Sequence, residues 1–284
     1  MSKLTRRQHY VPDFYLRHWA DPKGNVTCHD ILERKTFTCD PTNALVQSYL
    51  YEEDPSQPDN RIENILSSME GTCSLTFKKL FAQGLAASTD DRKAAAALKS
   101  LITDSDADNL CQFAAYQYMR VPGAIDQKAY ELLPSEIGEA ERAHALNPGR
   151  FVESGYAYVR DRFKAMKLMI FVSPGREFIT CDWPCFDMKD SPDSPLLGEE
   201  IGQNPKVVCY LPLTPRFCAV FFTADFSSAA SRVPRVVVSP KTDGVVKNQN
   251  TLVIQKAERF VVASKAEPYV FQIAAKRKKC LAAA

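Results

Sequence analysis

The sequence has no apolar run of the roughly eighteen residues that a membrane-spanning helix needs. It has only 11 glycines in 284 residues, and it contains neither of the glycine-rich phosphate loops, GxGxxG and GxxxxGK(S/T). The HExxH pattern of zinc proteases and the GxSxG pattern of α/β-hydrolases are also missing. These absences disfavour membrane-spanning proteins and the common enzymes that use nucleotide cofactors.

Charge of one sign is not in excess either. The chain carries 36 basic and 34 acidic residues, a formal net charge of +2, so no global field draws it to nucleic acid or to an anionic membrane. A hydrophobic share of 45% with 25% charged residues is typical of a globular protein. The first ten residues, MSKLTRRQHY, lack the apolar segment of a signal peptide, and we therefore expect a cytoplasmic protein without a membrane partner.

Cysteine is plentiful, but its pattern indicates neither disulfides nor zinc. The count of nine is odd, and several cysteines stand inside apolar runs such as VVCYL and RFCAVFF, where reduced thiols behave as small hydrophobic groups. Cys181 and Cys185 have no second pair of Cys or His at a zinc-site spacing. We expect free thiols.

The first half of the chain predicts a hairpin and then a layer of helices. The runs VTCHDI and TFTCD are β-prone and follow turn signals, as in a β-hairpin. From residue 55 to about 166, apolar residues recur at intervals of three and four, which is typical of amphipathic helices. The expected helices cover residues 62–80, capped by Asp59 or Asn60, then 88–102, 104–119 and 126–166, with a break near Asn147.

Residues 167–275 are dominated by β-prone runs, among them KLMIFV, EFITCD, VVCYLPL, FCAVFF, VVVS, LVIQ and RFVVAS. Residues 187–205 predict an irregular loop, and 243–257 are compatible with a strand or with a helix. Helices followed by strands predict an α+β fold. The expected architecture is an N-terminal helix and hairpin, a central helical layer and a C-terminal, mostly antiparallel sheet in one domain, 1–280; residues 281–284 resemble a vector-derived tail.

The opening stretch RRQHYVPDFYLRHW concentrates aromatic and basic residues. Pro12 suits the first position of a helix, which places His9 and Tyr10 just before its N-terminus. Tyr15 and Trp19 are four residues apart and are expected to stack. The stretch is therefore explained either by a helix that docks on the core or by a chemical site at its start.

The same stretch, as QHYVPDFYLRHWA, resembles the opening of the family of domains of unknown function numbered 4238, which occurs in bacteria and fungi. The segments SSMEGTCSLTFKKL, FAAYQYMRVPG, FITCDWP, PLTPRF and NTLVIQKAERFVVAS fit the same pattern, so the resemblance spans most of the chain. Where members have Ser-Asp-Asn-Pro, this chain has Cys181 to Pro184. The resemblance implies the fold more than a mechanism, and the positions that match its motifs are His9, Pro12, Tyr15, Arg17, Glu70, Gln117, Arg120, Asp182 and Pro184.

Four of the matching residues predict a catalytic set: His9, Glu70, Arg120 and Asp182. A neutral imidazole serves as a general base or metal ligand, and a guanidinium holds phosphate or carboxylate with its planar fork. We assign Tyr15, Arg17 and Gln117 to substrate binding and no residue to a metal, although a divalent metal is one way to activate water. The structural alternative is that Glu70 pairs with Arg17 or Arg120 and that Asp182 bonds its own turn.

The sequence therefore leaves three hypotheses. The first is a hydrolase of a phosphate-containing substrate, a nuclease or phosphodiesterase of a bacterial defence or toxin type, in which a metal or His9 activates water and Arg120 holds the anion. The second is a non-enzymatic module that binds an anion or a protein through Arg17 and Arg120. The third is a structural scaffold. The first two gain support if His9, Arg120 and Asp182 surround one hollow with unpaired polar atoms, and the third gains support if each is saturated by hydrogen bonds inside packed protein.

Overall fold

The computed structural model describes residues 4–81, 90–123, 147–173, 175–187, 208–222 and 234–283. Across these ranges it has the predicted α+β architecture. The helices are α1 (Asp13–Leu16), α2 (Arg61–Leu80), α3 (Asp91–Leu101), α4 (Asp104–Met119), α5 (Pro148–Ala165), α6 (Asp243–Lys256) and α7 (Tyr269–Ala283), with 3-10 turns at Arg17–Trp19 and Pro41–Asn43. None of these helices is long and apolar enough to cross a membrane.

The strands form three sheets in the described ranges. They are β1 (Arg7–His9), β2 (Val26–Asp30), β3 (Lys35–Cys39), β4 (Val46–Ser48), β5 (Lys167–Val172), β6 (Thr180–Cys181), β7 (Phe186–Asp187), β8 (Val208–Thr214), β9 (Phe217–Phe222), β10 (Val236–Pro240) and β11 (Phe260–Ala263). The sheet orders are β1-β4, β10-β5-β9-β8-β7 and β3-β2-β11-β6. Every pair is antiparallel except β10 with β5, so the expected mostly antiparallel sheet is confirmed.

The helix starts follow from local capping. The side chain of Asp90 accepts hydrogen bonds from two backbone N–H groups at the start of α3, so this helix begins at Asp91 rather than at residue 88 as predicted. Thr103 and Asp106 form a reciprocal capping box that starts α4 at the predicted residue. Asn60, in the left-handed region at φ 58°, precedes α2.

Several elements differ from the sequence predictions. The LVIQ run belongs to helix α6 and not to a strand, because the buried positions of that segment recur at three and four residues from Val246 to Val253. The first helix is a single turn that continues as a 3-10 turn. Helix α7 and the pairing of β1 with β4 were not predicted. The predicted helix over 126–146 and most of the loop over 187–205 lie outside the described residues.

The core joins the opening stretch to the sheets. Tyr15 and Trp19 are fully buried and their ring centroids lie 4.9 Å apart, so the predicted contact is present, but the rings are inclined at 60° in an edge arrangement and are not stacked. The indole N–H of Trp19 donates to the carbonyl of Phe178 at 2.8 Å. The eight cysteines whose side chains the structure describes form no disulfides. Tyr15 and Trp19 therefore pack in the core, and their own polar atoms are hydrogen-bonded there.

Candidate functional site

Strand β1 is tied to the start of helix α2 by a buried chain of hydrogen bonds. The amide of Gln8, which is fully buried, donates to Glu52 at 2.7 Å and accepts from the backbone N–H of Tyr51 at 2.8 Å. The other oxygen of Glu52 accepts from the N–H of Asp59 at 2.9 Å. This chain fixes Tyr51 and His9, the next residue of β1, against α2.

Arg120, directly after α4, is the centre of the polar contacts. Only 2% of it is exposed. Its Nη1 donates to Glu70 Oε1 at 2.5 Å, its Nε donates to the hydroxyl of Tyr51 at 3.1 Å, and its Nη2 donates to the backbone carbonyl of His9. Three segments of the chain therefore meet at one guanidinium, and Glu70 makes one of the two ion pairs that the structural alternative predicted.

The charges around Arg120 reinforce one another. Burial alone would lower the pKa of Arg120, but the nearby Tyr51 hydroxyl and Glu70 carboxylate outweigh it and the pKa is raised. Burial also raises the pKa of Tyr51 to about 12, although Arg120 opposes the shift. At neutral pH the guanidinium is therefore a cation and the Tyr51 hydroxyl a neutral phenol.

His9 presents a neutral ring to this centre. Burial lowers the pKa of His9 below its usual 6.5, and Arg120 adds to the effect while Asp13 and Glu70 oppose it. The backbone carbonyl of Pro41 also acts on the ring and raises its pKa, as the smallest of these effects. The Nε2 atom is buried and has no hydrogen-bond partner in the described part of the chain. It is therefore the nitrogen that is left to accept a proton.

Glu63, which the sequence analysis missed, is the second titratable group without a full set of partners. It precedes Glu70 by seven residues on α2 and so lies on the same face of the helix. Burial raises its pKa from 4.5 to about 7; Arg120 opposes this shift and Glu70 adds to it. Its Oε2 is buried without a hydrogen-bond partner among the described residues. We call His9, Tyr51, Glu63, Glu70 and Arg120 the Arg120 cluster.

Gln117 lies one turn before Arg120 on α4 and is fully buried. Both atoms of its side-chain amide lack hydrogen-bond partners within the described ranges. Buried polar atoms nearly always have a partner, so each exception requires an explanation such as an occupant of the site. Gln117 was predicted to bind substrate, and its unmatched amide lies one turn before Arg120, the residue that directly follows α4.

Asp182 is placed elsewhere. One oxygen accepts from the N–H of Glu258 at 2.9 Å and the other from those of Arg259 and Phe260 at 2.7 and 2.8 Å. Burial raises its pKa to about 6 against the effect of these three bonds. Burial is the main cause of the raised pKa of Tyr10, and the charge of Asp182 is the second cause. Asp182 therefore faces Tyr10, the residue that follows His9. Its hydrogen bonds hold β11 beside β6.

The other two predicted binding residues have structural partners. Tyr15 is buried, and its hydroxyl donates to the carbonyl of Pro212 at 2.6 Å and lies 2.7 Å from the hydroxyl of Thr180. Arg17 is exposed and forms an ion pair with Asp13 at 2.9 Å. The structure therefore brings together His9, Glu70 and Arg120, with Gln117 one turn away, and gives Tyr15 and Arg17 contacts outside the cluster.

The chemical capacity of the cluster is proton transfer. A neutral imidazole and a carboxyl group that is half protonated near pH 7 form a base and an acid in one neighbourhood. No three side chains of His, Cys, Asp or Glu are grouped to hold a metal ion within the ranges that the structure covers. The groups that are present can move a proton without one.

These observations define the class of protein: it has an α+β fold in which a buried arginine joins β1 to two helices. The chain belongs to the family described as "Protein of unknown function (DUF4238)", whose model matches residues 7–267. The resemblance read from the opening motif is thereby confirmed, and the match includes the whole Arg120 cluster as well as Asp182. No curated protein and no solved structure matches the chain.

Proposed function

We propose that the protein is a hydrolase of phosphate-containing substrates and that its acid-base chemistry takes place at the Arg120 cluster. One observation carries the proposal: His9 Nε2 and Glu63 Oε2 are both buried without hydrogen-bond partners among the described residues. Both side chains also interact electrostatically with the same guanidinium. A purely structural cluster satisfies its polar atoms, whereas a catalytic one keeps them for substrate and water.

In this proposal His9 is the general base and Glu63 the general acid. Nε2 of His9 removes a proton from a water molecule, whose oxygen then forms a bond to phosphorus. The bond from phosphorus to the leaving oxygen breaks, and that oxygen takes the proton of the Glu63 carboxyl group. The imidazolium and the carboxylate then exchange their protons with solvent, so each group returns to its starting state.

Arg120 has a different role from the anion clamp that the sequence suggested. Each of its three guanidinium nitrogens already donates to Glu70, Tyr51 or the backbone of His9. It is a positioning residue, because it holds the base and lowers the pKa values of His9 and Glu63. The second hypothesis, in which Arg17 and Arg120 receive an anion, is less favoured because both are paired with carboxylates.

The narrower form of the proposal is a nuclease or phosphodiesterase of a defence or toxin type. We expect the purified protein to release product from at least one of RNA, DNA, nucleotides or bis(p-nitrophenyl) phosphate, assayed with and without a divalent metal. His9→Gln should lower turnover by about a hundredfold or more, as the loss of a general base does. Both variant and wild type are compared by circular dichroism to show that they are folded.

His29→Gln is the matched control. His29 is also buried, but both of its ring nitrogens have partners, the hydroxyl of Thr36 at 3.0 Å and the N–H of Glu267 at 3.2 Å. It should keep wild-type turnover per folded molecule. Turnover of none of these substrates, or turnover that is equal in the two variants, would remove the proposal.

A further inference from the structure

A cleft of about 250 Å³ lies on the described surface, between the 3-10 turn after α1, the segment that follows β5 and the turn between β8 and β9. Its lining is polar and basic: His18, Ser173, Arg176, Glu177, Thr214 and Arg216, with Phe81, Gly175 and Pro215. None of these residues belongs to the Arg120 cluster. The cleft is therefore a separate place at which a ligand can bind.

The walls of the cleft are held rigid by backbone contacts. The N–H of Ser173 donates to the carbonyl of Arg216 at 2.9 Å, and the N–H of Phe178 donates to that of Pro215 at 2.7 Å. The side chain of Asn250 bonds both the carbonyl of Glu177 and the N–H of Ile179. A preformed site loses less conformational entropy when it binds a ligand.

The charges of the cleft favour an anion. The guanidinium of Arg216 is only 16% exposed and is held at 2.5 Å by Asp91, so its position is fixed. Arg176 is exposed at the rim; in the described ranges no carboxylate forms an ion pair with its guanidinium, which instead contacts the hydroxyl of Tyr269. The carboxylate of Glu177 accepts from Ser264 and lies 4.0 Å from Lys265. Arg176 thus supplies the positive charge at the rim of the cleft.

His18 and the hydroxyl of Thr214 add neutral hydrogen-bonding capacity, whereas the hydroxyl of Ser173 already donates to the carbonyl of Arg176. Burial lowers the pKa of His18 to about 4, so the ring is neutral at pH 7. The hydroxyl of Thr214 already accepts from two backbone N–H groups of the turn, those of Arg216 and Phe217. A tetrahedral oxyanion needs several donors at different angles, and guanidinium groups bind it through paired N–H groups.

We propose that this cleft binds a phosphate group, either as the free anion or as the end of a phosphomonoester. Arg176 is its cationic contact, and the guanidinium of Arg216, whose charge Asp91 balances, is a second hydrogen-bond donor. The volume is smaller than that of most pockets for drug-sized ligands, so it suits one phosphate group with the rest of a larger ligand outside. The site does not depend on hydrolysis at the Arg120 cluster.

The test is binding of inorganic phosphate to the full-length protein, by calorimetry and by the shift in melting temperature at constant ionic strength. A ligand that binds only the folded state raises the melting temperature saturably. Wild type should show such a shift, and Arg176→Gln should weaken phosphate affinity by about tenfold or more, because it removes a charge-assisted contact. Arg216→Lys keeps the charge but loses the fork, and should also weaken binding.

Arg162→Gln is the matched control, since Arg162 is likewise exposed and bonds a tyrosine hydroxyl, that of Tyr158, outside the cleft. It should bind phosphate like the wild type. Binding of AMP, with adenosine as the control that lacks the phosphate group, distinguishes a phosphomonoester from the free anion. AMP that binds more tightly than phosphate indicates a phosphomonoester, and binding of phosphate alone indicates the free anion. No saturable effect in the wild type, or equal affinities for Arg176→Gln and Arg162→Gln, would overturn the proposal.

Discussion

Replacing Arg120 by Met is expected to lower the free energy of unfolding by about 3 to 5 kcal/mol, the usual cost of removing one partner of a buried ion pair. Methionine retains the apolar stem of the side chain, so the loss reports the guanidinium and its hydrogen bonds. Glu70, the hydroxyl of Tyr51 and the carbonyl of His9 would each lose a donor. Urea unfolding of both proteins, with equal m-values, measures the difference.

Arg61→Met is the control for this experiment. Arg61 forms ion pairs with Glu53 and Glu153, but its side chain is 47% exposed, and exposed pairs contribute about 0 to 1 kcal/mol. The two variants make the same substitution at helix-associated arginines and differ mainly in burial. Equal losses for Arg120→Met and Arg61→Met would show that Arg120 does not hold the three segments together.

Replacing Glu63 by Gln is expected to stabilise the protein at alkaline pH. Since burial raises the pKa of Glu63 from 4.5 to about 7, the folded state keeps the proton more firmly than the unfolded state. The stability that this proton contributes is present below the unfolded value of 4.5 and is lost as pH rises through about 7. With about 1.4 kcal/mol for each pH unit, the variant should gain about 2 to 3 kcal/mol relative to wild type between about pH 5 and pH 8.

The measurement is the difference in unfolding free energy between Glu63→Gln and wild type at several pH values, which cancels the groups that both proteins share. Glu153→Gln, which removes an exposed carboxylate of an ion pair, should change the unfolding free energy by about 1 kcal/mol or less. A Glu63→Gln difference that stays constant from about pH 5 to pH 8 would contradict an elevated pKa for Glu63. A gain in stability is also what substitution of a catalytic group often produces.

Much of the fold could be predicted from local sequence. The limits of α4 were predicted to the residue, because the capping box at Thr103 fixes its start and Pro122 follows its end. Helix α6 was ambiguous because Gln249 and Asn250 are polar residues at buried positions, which hides the helical period. The strand β1 could not be predicted, since three residues carry too little pattern.

The candidate site was predicted only in part. The pair of Glu70 and Arg120 was accessible from the sequence, since opposite charges in two predicted helical regions favour an ion pair. Glu63 was missed although its spacing of seven residues from Glu70 places both on one helical face. Tyr51 gave no signal, because it reaches Arg120 from a loop. Which polar atoms lack partners depends on three-dimensional packing and cannot be read from a pattern of residues.

The pH dependence of kcat/KM for phosphate-ester hydrolysis tests the assignment of base and acid most directly. Activity should rise as His9 loses its proton, at a pH below 6.5, and fall as Glu63 loses its proton at about 7. In Glu63→Gln the rate should be lower and the alkaline limb should disappear. Absence of hydrolysis, or an alkaline limb near pH 7 that persists in Glu63→Gln, would contradict the account.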